Sequence, residues 1–511
     1  MVFVLGFSKS IFGVLTPYVT SSFDKHALTA TTSVLANIAS GVVVLPYARL
    51  IEVWGRPESF SLMVLLTTLG SVMMACCQNV ETYCAAQVFY YVGYYGIQFS
   101  LVILIADSAP IRNRALLFGI VWSPSLCSIW AYGPAADSIL RTIGFRWGFG
   151  VWSIAVPVFC APLTFLMFRY YGAAKSAGVI AKPTSTKRWP KSTMYWIKEF
   201  DVVGLLILAT GLSLLLLALS IYSYQGKGWE SPTIISFLII GPLLLVAFGL
   251  YEKYIAPTTF VSAKLLRDQT VVWTNVMAAT LYTSEFLCSA YVYSMLIVVF
   301  DQDVIQATYI NNIYSIGSSA ATLVFGVAIR YYGRVKWYTI FLAIPLFILG
   351  QGLMIAFRPS FTPVGLMIFC QIAIAFGGGL IYPIEQMILM DVSREYTTAL
   401  LAVESVVVYA GKAAGAAIAT AIWTKMFKSR LMEYLPSDEI SRVDHIYGSL
   451  DVQSSYAPGS EARLAINHAY LDTQRVIFIA ATAILSVTWI SVFFWRDIDA
   501  GRRKSATARG A

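Results

Sequence analysis

Charge is what this chain has least of. Of its 511 residues, 36 are Lys or Arg and 27 are Asp or Glu, so 12% are charged, against 58% in the set AVILMFWYC. A water-soluble chain carries about a quarter charged residues, and this composition excludes that class. Histidine is scarcer still, at three copies, and the seven cysteines (76, 77, 84, 127, 160, 288 and 370) all fall inside apolar runs. They offer neither a disulfide framework nor a CxxC metal site, and no metal or cofactor is expected. No glycine-rich loop followed by Lys-Ser/Thr opens a helix after a strand, so "FGGGLIYP" (376–383) and "GKAAGAA" (411–417) read as places where helices approach closely. ATP hydrolysis is thereby removed as an energy source, leaving an ion gradient or the substrate's own gradient. The first residues lack the cationic start and small-residue cleavage site of a signal peptide, so the first run is expected to stay as an anchor.

What the chain has in quantity is long apolar runs. About 20 residues of helix cross ~30 Å of hydrocarbon, and fourteen such spans fit near 2–22, 30–50, 60–78, 83–106, 115–139, 148–170, 201–222, 231–253, 271–299, 304–329, 337–357, 363–390, 397–423 and 475–495. The period-2 alternation of a barrel strand is missing, which makes the spans helices and the chain an all-α integral protein of a lipid bilayer. With the N-terminus inside, loops on the cytoplasmic side collect 23 Lys and Arg, and the short opposite loops hold five. The net charge of +9 is therefore topological, and nucleic acid is not an expected partner.

Two loop patterns occur twice. "ARLIEVWGRP" (48–57) places Ala48, Glu52, Gly55 and Arg56 at the spacing of Gly326, Arg330, Gly333 and Arg334 in "GVAIRYYGRV", an offset of 326 − 48 = 278. "DSAPIRNRALL" (107–117) is matched by "DVSREYTTALL" (391–401), at 391 − 107 = 284. Two patterns in the same order, with offsets differing by 6, point to two pseudo-symmetric six-helix halves with two helices inserted between them. The expected layout is a first half over 1–170, a basic cytoplasmic linker over 171–200, two inserted spans over 201–253, a second half over 254–495 with a long external loop at 424–474, and a cytoplasmic tail over 496–511. This is the layout of alternating-access carriers, whose halves rock about a central site. A cytoplasmic gate is then expected from Glu52, Gly55, Arg56, Asp107, Arg112, Arg114, Gly333, Arg334, Glu385, Asp391 and Arg394. Gly55 and Gly333 would turn the chain tightly, and Pro57 would restart the next helix.

These two patterns, the pair Gly133-Pro134 in the fifth span and "FRWGFGVW" (145–152) before the sixth resemble the major facilitator superfamily in its fourteen-helix form. "LTPYVTSSFDKHALTATTSVL", "LPYARLIEVWGRPESF", "QVFYYVGYYGIQFSLVILIADSAPIRNRAL" and the segment before the last span resemble the fungal siderophore-iron transporters over nearly the whole chain. The resemblance implies a major facilitator fold and a monomeric, non-enzymatic carrier. It would import an iron-siderophore chelate with protons at the plasma membrane, the alternative site being an endosomal or vacuolar membrane. Iron would enter only as part of the chelate. It also links the loop over 424–474, with Tyr447, Tyr456 and Tyr470, to substrate capture. Alternatives within the superfamily are a proton-coupled glutathione exchanger and a drug/proton antiporter. The fourth span lacks the arginine usual in drug antiporters, and fewer residues precede "TPY" than is usual in the family, which reads either as a shortened first helix or as a truncated gene model.

Ionisable groups inside spans cost roughly 2.5–3.5 kcal/mol each on insertion scales and are functional candidates for that reason. Glu285 lies at the centre of the ninth span, and Glu404 and Lys412 share a face of the thirteenth, about 12 Å apart. These three are the candidates for proton coupling. Lys9 is read as positional. Aromatic residues that could line a cavity for a bulky, amide-rich ligand are Tyr91, Tyr95, Trp122, Trp130, Tyr282 and Tyr291.

Overall fold

A peptide group inside hydrocarbon has no water to bond, so each apolar run must close its own i to i−4 ladder. The computed structural model describes residues 1–22, 29–178, 201–222, 228–256, 263–357, 363–393 and 396–498, and no β-strand occurs among them. The helices are α1 (Val2–Ser22), α2 (Thr29–Val53), α3 (Arg56–Cys76), α4 (Val80–Ser108), α5 (Ile111–Trp122), α6 (Ser125–Thr142), α7 (Gly144–Ser176), α8 (Val202–Ile221) and α9 (Pro232–Tyr254). After these come α10 (Gln269–Ser289), α11 (Val292–Val298), α12 (Val304–Asn311), α13 (Ile313–Tyr332), α14 (Val335–Met354), α15 (Val364–Val392), α16 (Thr397–Tyr434) and α17 (Glu461–Phe493). Among the described residues, 12 helical stretches are long and apolar enough to cross a membrane. Helices α1 and α2 occupy the segments where the sequence places the first two spans.

Three stretches that the sequence shows as single spans are broken. Helices α5 and α6 part around Pro124, α12 and α13 part at Asn312, and α10 and α11 part at Tyr291, whose φ of 60° is unusual for a residue with a side chain. The Tyr291 ring stacks on Trp423 with centroids 4.1 Å apart, which holds the break in place.

The described chain forms two compact units. One comprises Met1–Ser108, Cys127–Arg267 and Ser393–Tyr409, and the other Ala109–Leu126, Asp268–Val392 and Ala410–Ala511. The segments that begin within the two copies of the second sequence pattern are thus exchanged, Ala109–Leu126 packing with later helices and Ser393–Tyr409 with earlier ones. In the first unit α4 packs along α2 and α3, and its fully buried Tyr83 and Tyr90 are hydroxyl-bonded to Thr16 and Ser8, each at 2.9 Å. Helices α8 and α9 pair, and Asp201, which caps α8, accepts from Tyr251 Oη at 2.6 Å. On α9 the side chains of Ile239, Leu243, Val246 and Leu250 are exposed along one face, as a lipid-facing helix requires. In the second unit α10 packs on α17, and α13 lies between α5 and α15.

The loop expected over 424–474 is mostly helix. Helix α16 continues to Tyr434 and α17 begins at Glu461, so only 435–460 remains between them, carrying the short helices Val443–Gly448 and Leu450–Ser455. Lys425, Lys428 and Arg430 mark where the apolar run ends, not where the helix ends: 38 residues of α16 reach about 57 Å, well beyond ~30 Å of hydrocarbon.

Gly55 and Gly333 stand where the repeated pattern asks for a turn, and both have positive φ, 113° before α3 and 70° after α13. Pro57 sits in the first turn of α3, where its missing N–H is not needed. A side chain at Gly55 is strained whatever space it has, at a cost of about 1–3 kcal/mol. Gly55→Ala is therefore expected to lower the thermal midpoint of the purified protein by several degrees, while Gly172→Ala, with open space around it, leaves it unchanged. Equal midpoints for the two variants would refute the strain at this turn.

Candidate functional site

Each unit carries a half-buried cation against aromatic rings. In the second unit the sequence "GKAAG" explains how. Gly411 and Gly415 let α16 close on α10: a methyl group at Gly411 would lie 2.7 Å from the Ala279 carbonyl oxygen, and Thr283 Oγ1 donates to the Gly411 carbonyl at 3.2 Å. That approach sets Lys412 Nζ 5.0 Å from the Tyr282 ring centroid and 5.4 Å from that of Phe286. Glu285, one turn from Tyr282, faces the Lys412 charge and accepts a hydrogen bond from Tyr314. Tyr282 Oη donates to Glu385 Oε1 at 3.3 Å, and Glu385 is wholly buried. Two carboxylates, two phenols and one ammonium thus meet inside the helix bundle. Such a group can take up or release a proton while neighbouring charge and hydroxyl donors compensate.

The first unit holds the tyrosine faces of α4. Tyr91 and Tyr95 stack at 6.2 Å, and Tyr409 meets Tyr95 edge-on at 5.8 Å. Lys9 Nζ donates to Tyr95 Oη at 3.1 Å and lies 5.3 Å and 5.0 Å from the Tyr94 and Tyr95 centroids. Glu404 is buried on the part of α16 that packs in this unit. Of the two charges that share a face of α16, Lys412 packs with Glu285 in the second unit, and Glu404 belongs to the first.

The remaining cavity candidates are scattered. Trp122 ends α5 and is partly buried, Trp130 on α6 is exposed, and Tyr291 stacks on Trp423. Of the gate candidates, Arg56 Nε donates to Asp107 Oδ2 at 2.8 Å, with both side chains nearly half exposed. Glu52 pairs with Arg49 of its own helix at 3.2 Å and also faces the charge of Arg56 at the start of α3. Arg112 Nε donates to the Arg330 carbonyl at 2.6 Å, near the end of α13, and the buried Arg114 donates to the Ala109 carbonyl at 3.1 Å. Arg334 precedes α14 and Asp391 is exposed at the end of α15. Glu385, grouped with the gate on sequence, lies with Tyr282. Arg394 lies outside the described residues.

Segment 435–460 forms a cap on the second unit, and it is held by a residue that the sequence reading passed over. Arg463, almost wholly buried at the start of α17, donates to the carbonyls of Val298 (2.9 Å), Ile297 (3.3 Å), Gln453 (3.1 Å), Ser454 (2.9 Å) and Tyr456 (3.0 Å), and to Asp301 at 3.2 Å. Tyr470 belongs to α17 and not to a loop; it is buried and donates to Gln453 Oε1 at 2.6 Å. Tyr456 donates to Glu439 Oε2 at 2.8 Å, and burial, then the carboxylate beside it, push its hydroxyl above the ordinary range. Tyr447 is partly buried beside Phe427. Other contributors missed on sequence are Lys9, Tyr314, Phe286 and Tyr409. Lys9 and Tyr409 had a local signal, a charge inside a span and a ring three residues from Lys412.

No protein-family model matches the chain. Solved structures of similar fold are the human organic anion transporter MFSD10, with a TM-score of 0.54 at 9% identity over 95% of this chain and 96% of that one, and the proton:xylose symporter XylE, with 0.54 at 11% over 98% and 94%. The fold is that of the major facilitator superfamily, a class of multi-pass membrane transporters. Curated relatives narrow it. The MFS siderochrome iron transporter 1 of Ajellomyces capsulatus is 46% identical over 485 residues, 95% of this chain and 82% of that protein. The MFS siderochrome iron transporter B of Aspergillus fumigatus is 36% identical over 495 residues, 96% and 81% respectively. Siderophore iron transporter 1 of Schizosaccharomyces pombe is 34% identical over 493 residues, 96% and 80%. The chain belongs to the siderophore-iron transporters of the major facilitator superfamily, a family of carriers and not of enzymes.

Replacing Arg463 would leave five carbonyls and Asp301 without their shared donor. Arg463→Ala is expected to speed limited proteolysis within 435–460 several-fold in the folded, detergent-solubilised protein. A cleavage rate equal to wild type would show that the cap is held without Arg463, by its remaining polar and apolar contacts.

Proposed function

We propose that this chain imports ferric siderophores together with protons at the fungal plasma membrane. Two six-helix halves, 1–170 and 254–495, alternate about a central site, with the inserted pair 201–253 bringing the spans to fourteen and 171–200 linking the first half to that pair. The observation that carries this reading is the 46% identity, over 95% of the chain, to a relative named as a siderochrome iron transporter. Iron enters as part of the chelate, and the carrier works as a monomer without a resident cofactor. Glu285 carries the proton, with Lys412 and Tyr314 adjusting to its charge. The geometry that supports this role is a carboxylate half-buried inside a span, facing an ammonium and bonded to a phenol. Arg56 with Asp107, and Arg112 with the end of α13, form the cytoplasmic latch. An exposed ion pair contributes about 0–1 kcal/mol, weak enough to open in each cycle. Tyr91, Tyr95 and Tyr282 contact the chelate, and the cap with Tyr447, Tyr456 and Tyr470 shapes its approach.

Uptake of a panel of iron-loaded siderophores by cells lacking their own carriers, with and without this chain, is expected to show iron accumulation from at least one member. No accumulation from any, alongside export of glutathione or drugs, would overturn the import reading. In vesicles, Glu285→Gln fixes the neutral form while keeping shape and hydrogen bonding. Uphill accumulation driven by a pH gradient is expected to disappear, while counterflow of labelled for unlabelled chelate persists with the gradient collapsed. Accumulation at the wild-type level would remove Glu285 from the coupling role.

A further inference from the structure

The proton-handling group leaves one intramembrane cation unused. Lys9 stands near the middle of α1, opposite the middle of α4, and its side chain is half-buried. Among the described residues, the groups that face it belong to tyrosines: the Tyr95 hydroxyl, the Tyr94 and Tyr95 rings, and Tyr91. Among the described residues no carboxylate lies within ion-pair distance of it, whereas Lys412 in the second unit faces Glu285. An ammonium has three N–H donors, and the described residues account for one, given to Tyr95. The surrounding wall is flat, aromatic and partly open, since Tyr91, Tyr95 and Tyr409 are themselves half-buried. Neutral phenols and ring faces solvate a cation without cancelling its charge. A positive charge held in this way, with donors to spare and stacking faces beside it, is a receptor for an oxygen anion attached to a planar group.

We infer that Lys9, with Tyr91, Tyr95 and Tyr409, forms an anion subsite on the transport pathway that selects iron chelates carrying a free carboxylate over their neutral counterparts. This deepens the import reading given above and rests on it for the identity of the ligand. The ammonium takes the carboxylate through its remaining donors, and the stacked Tyr91 and Tyr95 rings take the flat amide or aryl portion next to it. Glu285 and Lys412 are left free for the proton.

The test uses two ferric chelates identical but for one group, a free carboxylic acid in one and its methyl ester in the other. Binding to the purified full chain is read by quenching of tryptophan fluorescence, and uptake is read in cells. The wild-type protein is expected to bind the acid about 10-fold more tightly than the ester, a difference of about 1.4 kcal/mol. Lys9→Gln is expected to reduce that ratio to less than about 2, and Lys9→Arg to retain it, with surface expression measured for each. Lys9→Met replaces the Gln variant if the latter does not reach the surface. Equal wild-type affinity for acid and ester overturns the subsite, as does an unchanged ratio in the neutral variants. Competition by the iron-free acid, lost in the same variants, assigns the contact to the pendant carboxylate; its absence in wild type refutes that contact. An acid preference in binding without uptake of either chelate refutes import and leaves the subsite standing.

Discussion

A lysine ammonium inside a lipid bilayer has only oxygens and ring faces to turn to, and the two intramembrane lysines of this chain turn to the same partners. Lys9 lies against Tyr94 and Tyr95, and Lys412 against Tyr282 and Phe286, all at 5.0–5.4 Å from a ring centroid. Much of the local packing follows from making those contacts possible. Helix α16 must approach α10 closely enough to bring Lys412 over a ring, which the small residues of "GKAAG" permit. Helix α4 must present rings on two faces, one sealed and hydroxyl-bonded through Tyr83 and Tyr90, the other partly open through Tyr91 and Tyr95. The same helix thus stabilises the first unit and furnishes its candidate ligand wall.

The two cations differ in what accompanies the rings. Lys412 faces a carboxylate, so a change of protonation at Glu285 changes the balance of charge around it. Among the described residues the groups facing Lys9 are phenols, whose charge does not change under physiological conditions. The two lysines thus share ring contacts and differ in whether a carboxylate stands beside them.

Much of this was legible in the sequence wherever the cause was local. Gly55, Gly333 and Pro57 could be read because backbone geometry at a turn depends on a few neighbouring residues, and the repeated patterns marked them twice. The helical class followed from the bilayer's demand on the backbone. Glu285 and Lys412 were visible as charges among apolar residues, but their proximity was not, since 127 residues (412 − 285) separate them. Lys9 looked positional for the same reason, its partner Tyr95 being 86 residues away. The extent of α16 and α17 was misjudged because hydropathy marks the edge of the hydrocarbon and is silent on where a helix stops. Glu385 looked like a gate residue by its place in the span, and only the packing of α15 shows it buried with Tyr282.

Arg463 adds a constraint of a different kind, one of timing. The carbonyls it joins come from Ile297 and Val298, made early in the second half, and from Gln453, Ser454 and Tyr456, made just before Arg463 itself. As the ribosome delivers the chain, the cap residues can already meet α16, through Lys428 with Asp444 and Phe427 with Tyr447, but lack the Arg463 donors until α17 follows them. The Arg463 contacts therefore form after α10 to α16 have been synthesised, so the cap is fastened by a residue that comes later in the chain than every group it binds.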